Sequence, residues 1–396
     1  MLPVNSSIKA GAIAAAICAF GLLAGMALAH ETLTTTVLFD REIVRILSKH
    51  CVMCHDQGGP SFPLDTYEQT FLQRRKIRAE IIARHMPPWA AVPGYGQFAN
   101  DNSLTLQETQ FIVSWVEGLG PRNSGTVFTN VAGADAARPN EIRAHADAGH
   151  WLLGMPDLAR QLPANTIEPR APDQVKRVVV DLGLTSERRV RAVEFMPGDR
   201  RVVHAAFFTV EETGEWIGSW TPWYGVMTLP KGVAYRLPAG AHVVAEINYR
   251  GAQERAVDRG TLGLFFAGSS SSNTASDLVL DAKGAVPAGA QSQRFHAEQR
   301  LAEDTYAAAL RPELLPGANS VEVSARRPDG GTQVLLFAKD VPADWPSPYI
   351  LREPVVILKG SILAVTAYYS NSAKTSKPGG FRVTMTKYSN AGFDRK

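Results

Sequence analysis

Cysteine is scarce: the 396-residue chain holds three, Cys18, Cys51 and Cys54. Cys18 falls in a leading segment expected to be removed. Two cysteines three positions apart then remain, with no third thiol to form a structural disulfide elsewhere. Charge of one dominant sign is also lacking. Lys and Arg number 41 against 38 Asp and Glu, and loss of the leader removes Lys9 and no acid, so the mature chain offers no nucleic-acid surface. There is one long apolar run, from Ala10 to about Met26. No later segment is long and apolar enough to span a bilayer.

That run carries the marks of a secretory signal peptide. Lys9 supplies the positive start, and Ala27-Leu28-Ala29 forms a small-residue cleavage site. Residues 1–29 are therefore expected to be cleaved and the mature protein to be periplasmic, an anchored form being the alternative. Cys18 follows Ile17 rather than a small residue, which argues against a lipid anchor.

What is present is concentrated in Cys51-Val52-Met53-Cys54-His55, the C-x-x-C-H signature of c-type haem attachment. Two thiols on one turn can each form a thioether to a porphyrin vinyl group, and the following imidazole is placed to ligate the iron. A redox dithiol leaves His55 unexplained, and a zinc site would need further ligands from elsewhere. One covalent haem c is expected, held by Cys51, Cys54 and His55. Met86, in the loop His85-Met86-Pro87-Pro88-Trp89, is the expected distal ligand. His85 is the second choice, and an open distal position the third.

The surrounding pattern predicts helices. Asp40 reads as an N-cap ahead of Ile43, Val44 and Leu47. Thr66 with Gln69, and Thr105 with Glu108, read as capping boxes that open two further helices. The second of these carries Phe111, Ile112, Trp115 and Val116 and closes at Gly118 to Pro121. This order is that of an all-α class I cytochrome c domain, placed at residues 33–122. Arg74, Arg75, Lys76, Arg78 and Arg84 make a basic run on its middle helix. That run is read as a solvated face from which one or two side chains meet haem propionates or an acidic redox partner.

Residues 123–147 are rich in Gly, Ala and Asn and read as a linker. Beyond them, short β-rich runs separated by Pro and Gly predict antiparallel sandwiches at 148–267 and 277–390, with the Ser-rich stretch from Gly268 to Ser276 as their boundary. The pieces Met86-Pro87-Pro88-Trp89, Phe98-Ala99-Asn100-Asp101, Val202-Val203-His204, Leu237-Pro238-Ala239-Gly240 and Pro328-Asp329-Gly330, with Trp345 and Tyr349, carry a family likeness. The chain resembles bacterial cytochrome c domains fused to copper type II, ascorbate-dependent monooxygenase domains.

The resemblance implies two peptidylglycine-monooxygenase-like sandwiches after the haem region. It also implies two copper sites, and this sequence departs from both. Where the family has a histidine pair the chain has His204-Ala205, where it has a later histidine the chain has Asn248, and after Pro312 come Glu313-Leu314-Leu315 instead of His-x-His. Met385 is a loose match to the family's methionine ligand. Alanine and leucine offer copper no donor, so copper is not expected. His145, His150, His204, His242 and His296 are scattered, and His30 would become the amino-terminal residue after cleavage.

The expected function is therefore electron transfer by an exported monohaem c-type cytochrome. The β region would serve as a docking or assembly module for a redox partner protein or a membrane-associated oxidoreductase complex. No small-molecule substrate is assigned. The alternatives are a copper-dependent oxygenase with a non-standard site fed by the haem, and a haem sensor or peroxidase-type protein.

Overall fold

The computed structural model describes residues 35–123, 151–268, 273–342 and 345–389. The expected signal peptide, Cys18, His30, His145, His150, nearly all of the expected linker and the middle of the Ser-rich stretch lie outside the described residues. No helix among the described residues is long and apolar enough to cross a membrane.

The first described segment opens with a π turn, Phe39–Ile43, that continues into α1, Val44–His50. Asp40 lies inside that turn rather than capping it, because the Glu42 and Ile43 N–H groups donate to the Leu38 carbonyl at 3.0 and 3.3 Å, while Glu42 accepts the Leu38 N–H at 2.9 Å. Helix α2, Tyr67–Ile82, starts at the capping box of Thr66 and Gln69. Helix α3, Leu106–Glu117, starts at the box of Thr105 and Glu108. Each box satisfies two backbone N–H groups that a helix start leaves unpaired. Ile43, Leu47, Ile112 and Trp115 form the centre of a small core. The Trp115 indole N–H donates to the Pro121 carbonyl at 2.9 Å, which fixes the chain after α3.

Among the described residues, every regular element after residue 157 is a strand. The first half holds β1 Leu158–Gln161, β2 Asn165–Ile167, β3 Gln174–Asp181, β4 Arg188–Met196, β5 Val203–Val210 and β6 Trp216–Trp220. It continues with β7 Val226–Thr228, β8 Val233–Leu237, β9 His242–Tyr249, β10 Ala256–Asp258 and β11 Thr261–Phe266. The second half holds β12 Asn273–Val286, β13 Gln293–Arg300, β14 Thr305–Leu314 and β15 Ala318–Arg326. It ends with β16 Thr332–Lys339, β17 Tyr349–Ile357, β18 Ile362–Tyr369 and β19 Lys377–Tyr388.

One sheet runs through both halves in the order β1-β11-β4-β8-β12-β19-β14-β17, with β7 beside β4. Four-stranded sheets β3-β9-β5-β6 and β13-β18-β15-β16 are the other large layers. The first shares a core with the leading half of the long sheet, around Val193, Phe195, Phe208 and Tyr235. The second shares a core with the trailing half, around Leu310, Val323, Val365 and Phe381.

The expected fold class requires correction. An all-α class I cytochrome c domain standing apart from two antiparallel sandwiches is not what the chain forms. Among the described residues there are three α-helices, of seven, sixteen and twelve residues, against nineteen strands. The loop between α2 and α3 leaves the helices altogether. Its Val92 N–H donates to the Phe337 carbonyl at 2.8 Å and its Ala90 carbonyl accepts from Lys339 at 3.0 Å, so it extends the free edge of β16. Seven residues later Ala99 donates to Ile350 at 2.7 Å and Gln97 accepts from Arg352 at 2.9 Å, extending the edge of β17. Trp89 and Phe98 sink into the second β core. Gly96 makes the bend with φ +87° at a point where a Cβ would collide with the Leu335 carbonyl. The driving force is edge satisfaction, since two exposed strand edges pair with one loop. The two halves of the β region are likewise fused, because β8 pairs parallel with β12 through Asn273 with Val233 and Thr274 with Ala234.

The junction between the halves holds a titratable carboxylate. Asp277 on β12 accepts the Trp216 N–H at 2.5 Å and the Tyr235 O–H at 3.0 Å, and the Thr386 hydroxyl donates at 3.3 Å. Burial pushes its carboxyl up to about 6 despite these three donors, with Glu215 adding repulsion. The unfolded carboxyl titrates near 3.9, so between about pH 4 and 6 the folded chain holds the proton more tightly. The associated stability is complete below the unfolded value and is lost as pH rises through about 6, a difference of up to about 3 kcal/mol. The Asp277→Asn variant is expected to flatten that decline. Urea midpoints of both proteins at pH 4.5 and 7 check it, and equal slopes would refute it.

Candidate functional site

The C-x-x-C-H segment continues directly from the end of α1. Cys51 and Val52 both donate to the Leu47 carbonyl, at 2.8 and 2.9 Å, and Cys54 and His55 both donate to Cys51, at 3.0 and 2.9 Å. These tight turns bury Val52 in the helical core. They present Cys51, Cys54 and His55 to a common slot. Gly59 folds back so closely on the Cys54 carbonyl that any side chain there would collide with it. Leu64 then donates to the His55 carbonyl at 2.6 Å and closes the loop.

The His55 ring is oriented by one contact. Its Nδ1 lies 2.9 Å from the Phe62 carbonyl. A carbonyl can only accept, so Nδ1 carries the proton and the Nε2 lone pair is left available. Burial lowers the pKa of His55 against the opposing pull of the Phe62 carbonyl, and Lys76 and Arg250 lower it further. The ring is thus a neutral donor. Burial also pushes both thiols up to about 12, with Cys54 and Glu108 adding to the effect at Cys51. At Cys54 the cations Arg200 and Arg250 oppose it.

Across the slot stand Ile77, Glu80 and Ile81 of α2, then Met86, Pro87 and Pro88. The slot is narrow, a cavity of about 70 Å³. Several of its walls are long, adjustable side chains: Lys76, Glu80, Met86 and Arg250. Met86 borders the slot together with the cysteines and His55. His85 does not; it is exposed, with Nδ1 3.1 Å from Glu80 Oε2. His50 borders the slot, but Asn102 engages its Nδ1 and Glu108 its Nε2, each at 3.2 Å.

The β region supplies part of the site, and sequence reasoning missed this. Arg200, between β4 and β5, donates to the Met53 carbonyl at 2.7 Å and lies 3.5 Å from the buried Asp56 carboxylate. Arg250, just past β9, and Trp345 complete the slot wall, with the guanidinium 5.0 Å from the ring centroid. The Trp345 ring in turn meets His204 at 5.0 Å and Trp223 at 6.1 Å. Nothing local in the sequence marks Arg200 or Arg250, and Trp345 stood out only as one piece of the family resemblance.

The basic run divides. Arg74 lies 3.8 Å over the Phe71 ring, Lys76 4.9 Å over Phe62, and Arg78 pairs with Glu117 at 2.6 Å. Arg75 and Arg84 are exposed.

The positions where the resemblance implies copper fall elsewhere. Asn248 sits opposite Ala205 in the β5–β9 pairing, and it borders a second cavity of about 210 Å³ with Pro312, Glu313 and Leu314. The polar groups there include Arg311, held by Glu246 at 3.0 Å and Glu313 at 3.4 Å, and among the described residues no imidazole or thioether lines the space. His204 packs on Trp345, and Met385 is buried in the second β core. His296 is occupied by Thr366 at 2.9 Å. A cluster of Glu211, Glu212 and His242 lies on the surface, where Glu212 already takes both the His242 N–H and its Nδ1.

Comparison with known proteins adds little. No family model matches the chain, and no curated protein matches it. Among solved structures, the major capsid protein P2 of bacteriophage PM2 shares 11% identity over 60% of this chain and 100% of its own, with a TM-score of 0.24. A peptide-N(4)-(N-acetyl-β-D-glucosaminyl) asparagine amidase shares 12% over 59% and 98%, with a TM-score of 0.28. PNGase F, a glycosylasparaginase from Flavobacterium meningosepticum, shares 11% over 58% and 96%, with a TM-score of 0.27. Likeness this slight transfers neither fold nor activity.

Proposed function

We propose that this chain is an exported one-haem electron carrier, with haem c attached through Cys51 and Cys54 and ligated by His55. The observation that carries the reading is the convergence of two thiols and one tautomer-fixed imidazole on a single slot. The donor set fits the group. The two thiols stand one turn apart for two thioether bonds, a neutral Nε2 suits the iron, and the Phe62 carbonyl is the kind of outer partner that holds a ligating imidazole in place. When bound, the haem supplies reversible one-electron chemistry. The chain fixes the imidazole and lines the slot with Ile77, Ile81, Pro87 and Pro88. Met86 is the distal ligand in this reading. A periplasmic location follows from the signal peptide, and the β sheets act as the docking or assembly module for a redox partner or a membrane-associated oxidoreductase complex.

The test is an intact mass, an optical spectrum and an iron and copper count on exported protein from a host competent in haem attachment. One covalent haem with iron and no stoichiometric copper supports the reading; the bare polypeptide mass ends it. Met86 has its own test. A thioether ligand raises the potential, so Met86→Ala is expected to lower the midpoint potential and alter the spectrum. If neither moves in a redox titration, Met86 is not a ligand.

A further inference from the structure

Among the described residues that border the slot, Lys76 and Arg250 are the ones with a lysine or arginine side chain. They come from separate parts of the chain, Lys76 from α2 and Arg250 from the position just past β9. Each rests on an aromatic face: Lys76 lies 4.9 Å over Phe62 and Arg250 5.0 Å over Trp345. Both rings are themselves held. Phe62 packs against His55 at 4.8 Å, and Trp345 packs against His204 at 5.0 Å. The Arg250 backbone N–H donates to the Val202 carbonyl at 2.7 Å, which fixes the base of its side chain.

What these two cations lack is an anion. Among the described residues, neither side chain meets a carboxylate or donates a hydrogen bond. The other arginine beside the haem motif differs, since Arg200 lies 3.5 Å from the Asp56 carboxylate and donates to the Met53 carbonyl. The carboxylate on the slot wall, that of Glu80, meets His85 at 3.1 Å. Lys76 is exposed and keeps its water, but Arg250 is half-buried. A guanidinium withdrawn from water normally finds an acceptor. A slot bordered by two uncompensated cations therefore suits a ligand that brings two carboxylates of its own. Haem c brings its two propionates.

We propose that Arg250 and Lys76 each bind one haem propionate, so that the haem links α2 to the β region. The proposal rests on the haem reading of the slot. Ammonium and guanidinium groups donate charge-assisted hydrogen bonds to carboxylate oxygens, and Arg250 can do so through two parallel N–H groups. Arg250 is then a positioning residue that the helical segment does not itself supply. The haem couples the two regions through its own carboxylates, in addition to the backbone pairing of the 89–100 loop with β16 and β17.

The experiment uses the full haem-loaded chain as parent, Arg250→Gln, Lys76→Gln and Arg250→Lys. Resonance Raman scattering reads the propionate bending band, which responds to hydrogen bonding at the carboxylates, and a redox titration reads the midpoint potential. Arg250→Gln and Lys76→Gln are each expected to shift the band and to lower the potential, because an unpaired propionate favours the ferric iron. Arg250→Lys keeps the charge but loses the paired geometry, and is expected to restore more of the potential than of the band. Thermal melting completes a cycle with the haem-free Cys51→Ala, Cys54→Ala background. Arg250→Gln is expected to lower the midpoint of the loaded protein by about 2 °C or more and to leave the haem-free protein nearly unchanged. A band and a potential that stay at parent values in Arg250→Gln overturn the proposal. So does a change confined to Lys76→Gln, which assigns the second propionate to a group other than Arg250. Equal thermal losses with and without haem overturn it as well, since Arg250 then acts only through its packing on Trp345. Absence of covalent haem in the parent overturns the underlying reading instead, and an intact mass shows it before any variant is compared.

Discussion

A Cys51→Ala, Cys54→Ala double variant, produced where haem attachment operates, is expected to be exported with no covalent haem at all. Both sulfurs border one slot, and the one other cysteine of the sequence, Cys18, falls in the segment expected to be cleaved, so nothing can substitute for them. Each single variant retains one anchor and is expected to keep a fraction of the haem, still positioned by His55. Intact mass and iron content measure the loss directly. Full haem content in the double variant would mean that the group sits elsewhere. A second consequence concerns folding. The slot is walled by α2 on one side and by Arg250 and Trp345 on the other. A group bound only in the folded state stabilises that state, so the empty double variant is expected to melt at a lower temperature than the loaded parent.

The parts of this design that the sequence revealed are those encoded over a few neighbouring residues. The capping boxes at Thr66 and Thr105 need only a hydroxyl and an amide or carboxylate three positions apart, and the fold contains both. The spacing of Cys51, Cys54 and His55 is likewise local, and one helical turn accounts for their shared direction. Asp40 failed as a cap because the N–H groups of Glu42 and Ile43, which it would take, already donate to the Leu38 carbonyl.

What could not be read depends on partners hundreds of residues away. The loop from Trp89 to Asn100 looks like the exposed connection of a helical domain, yet Asn100 donates to Pro348 at 2.7 Å and accepts from Ile350 at 3.0 Å. Its ladder partners on β16 and β17 leave no local trace, because a strand edge accepts any extended backbone. The Ser-rich break suggested a division where the long sheet in fact continues across β8 and β12. Arg200 and Arg250 are ordinary arginines among many. Only the fold shows that they converge on the Cys54 turn.

That integration leads to the second large effect. Phe98→Ala is expected to cost about 3–5 kcal/mol, the usual range for removing a buried phenylalanine. Phe98 is 3% exposed, and its ring meets Trp89 at 5.8 Å and Tyr349 at 5.2 Å while Tyr349 also meets Trp89 at 5.0 Å. Losing one ring of this trio leaves a cavity at the point where the helical segment is stapled to the β region. Denaturation of the haem-loaded protein can be followed through haem absorbance and through tryptophan fluorescence. For one cooperative unit both midpoints fall together and by the same amount. An autonomous helical domain would behave otherwise: the haem signal would keep its midpoint while the fluorescence midpoint moved. The distinction is sharp because Phe98 touches the β core and not the slot, so a shift in the haem transition can arise only through the staple.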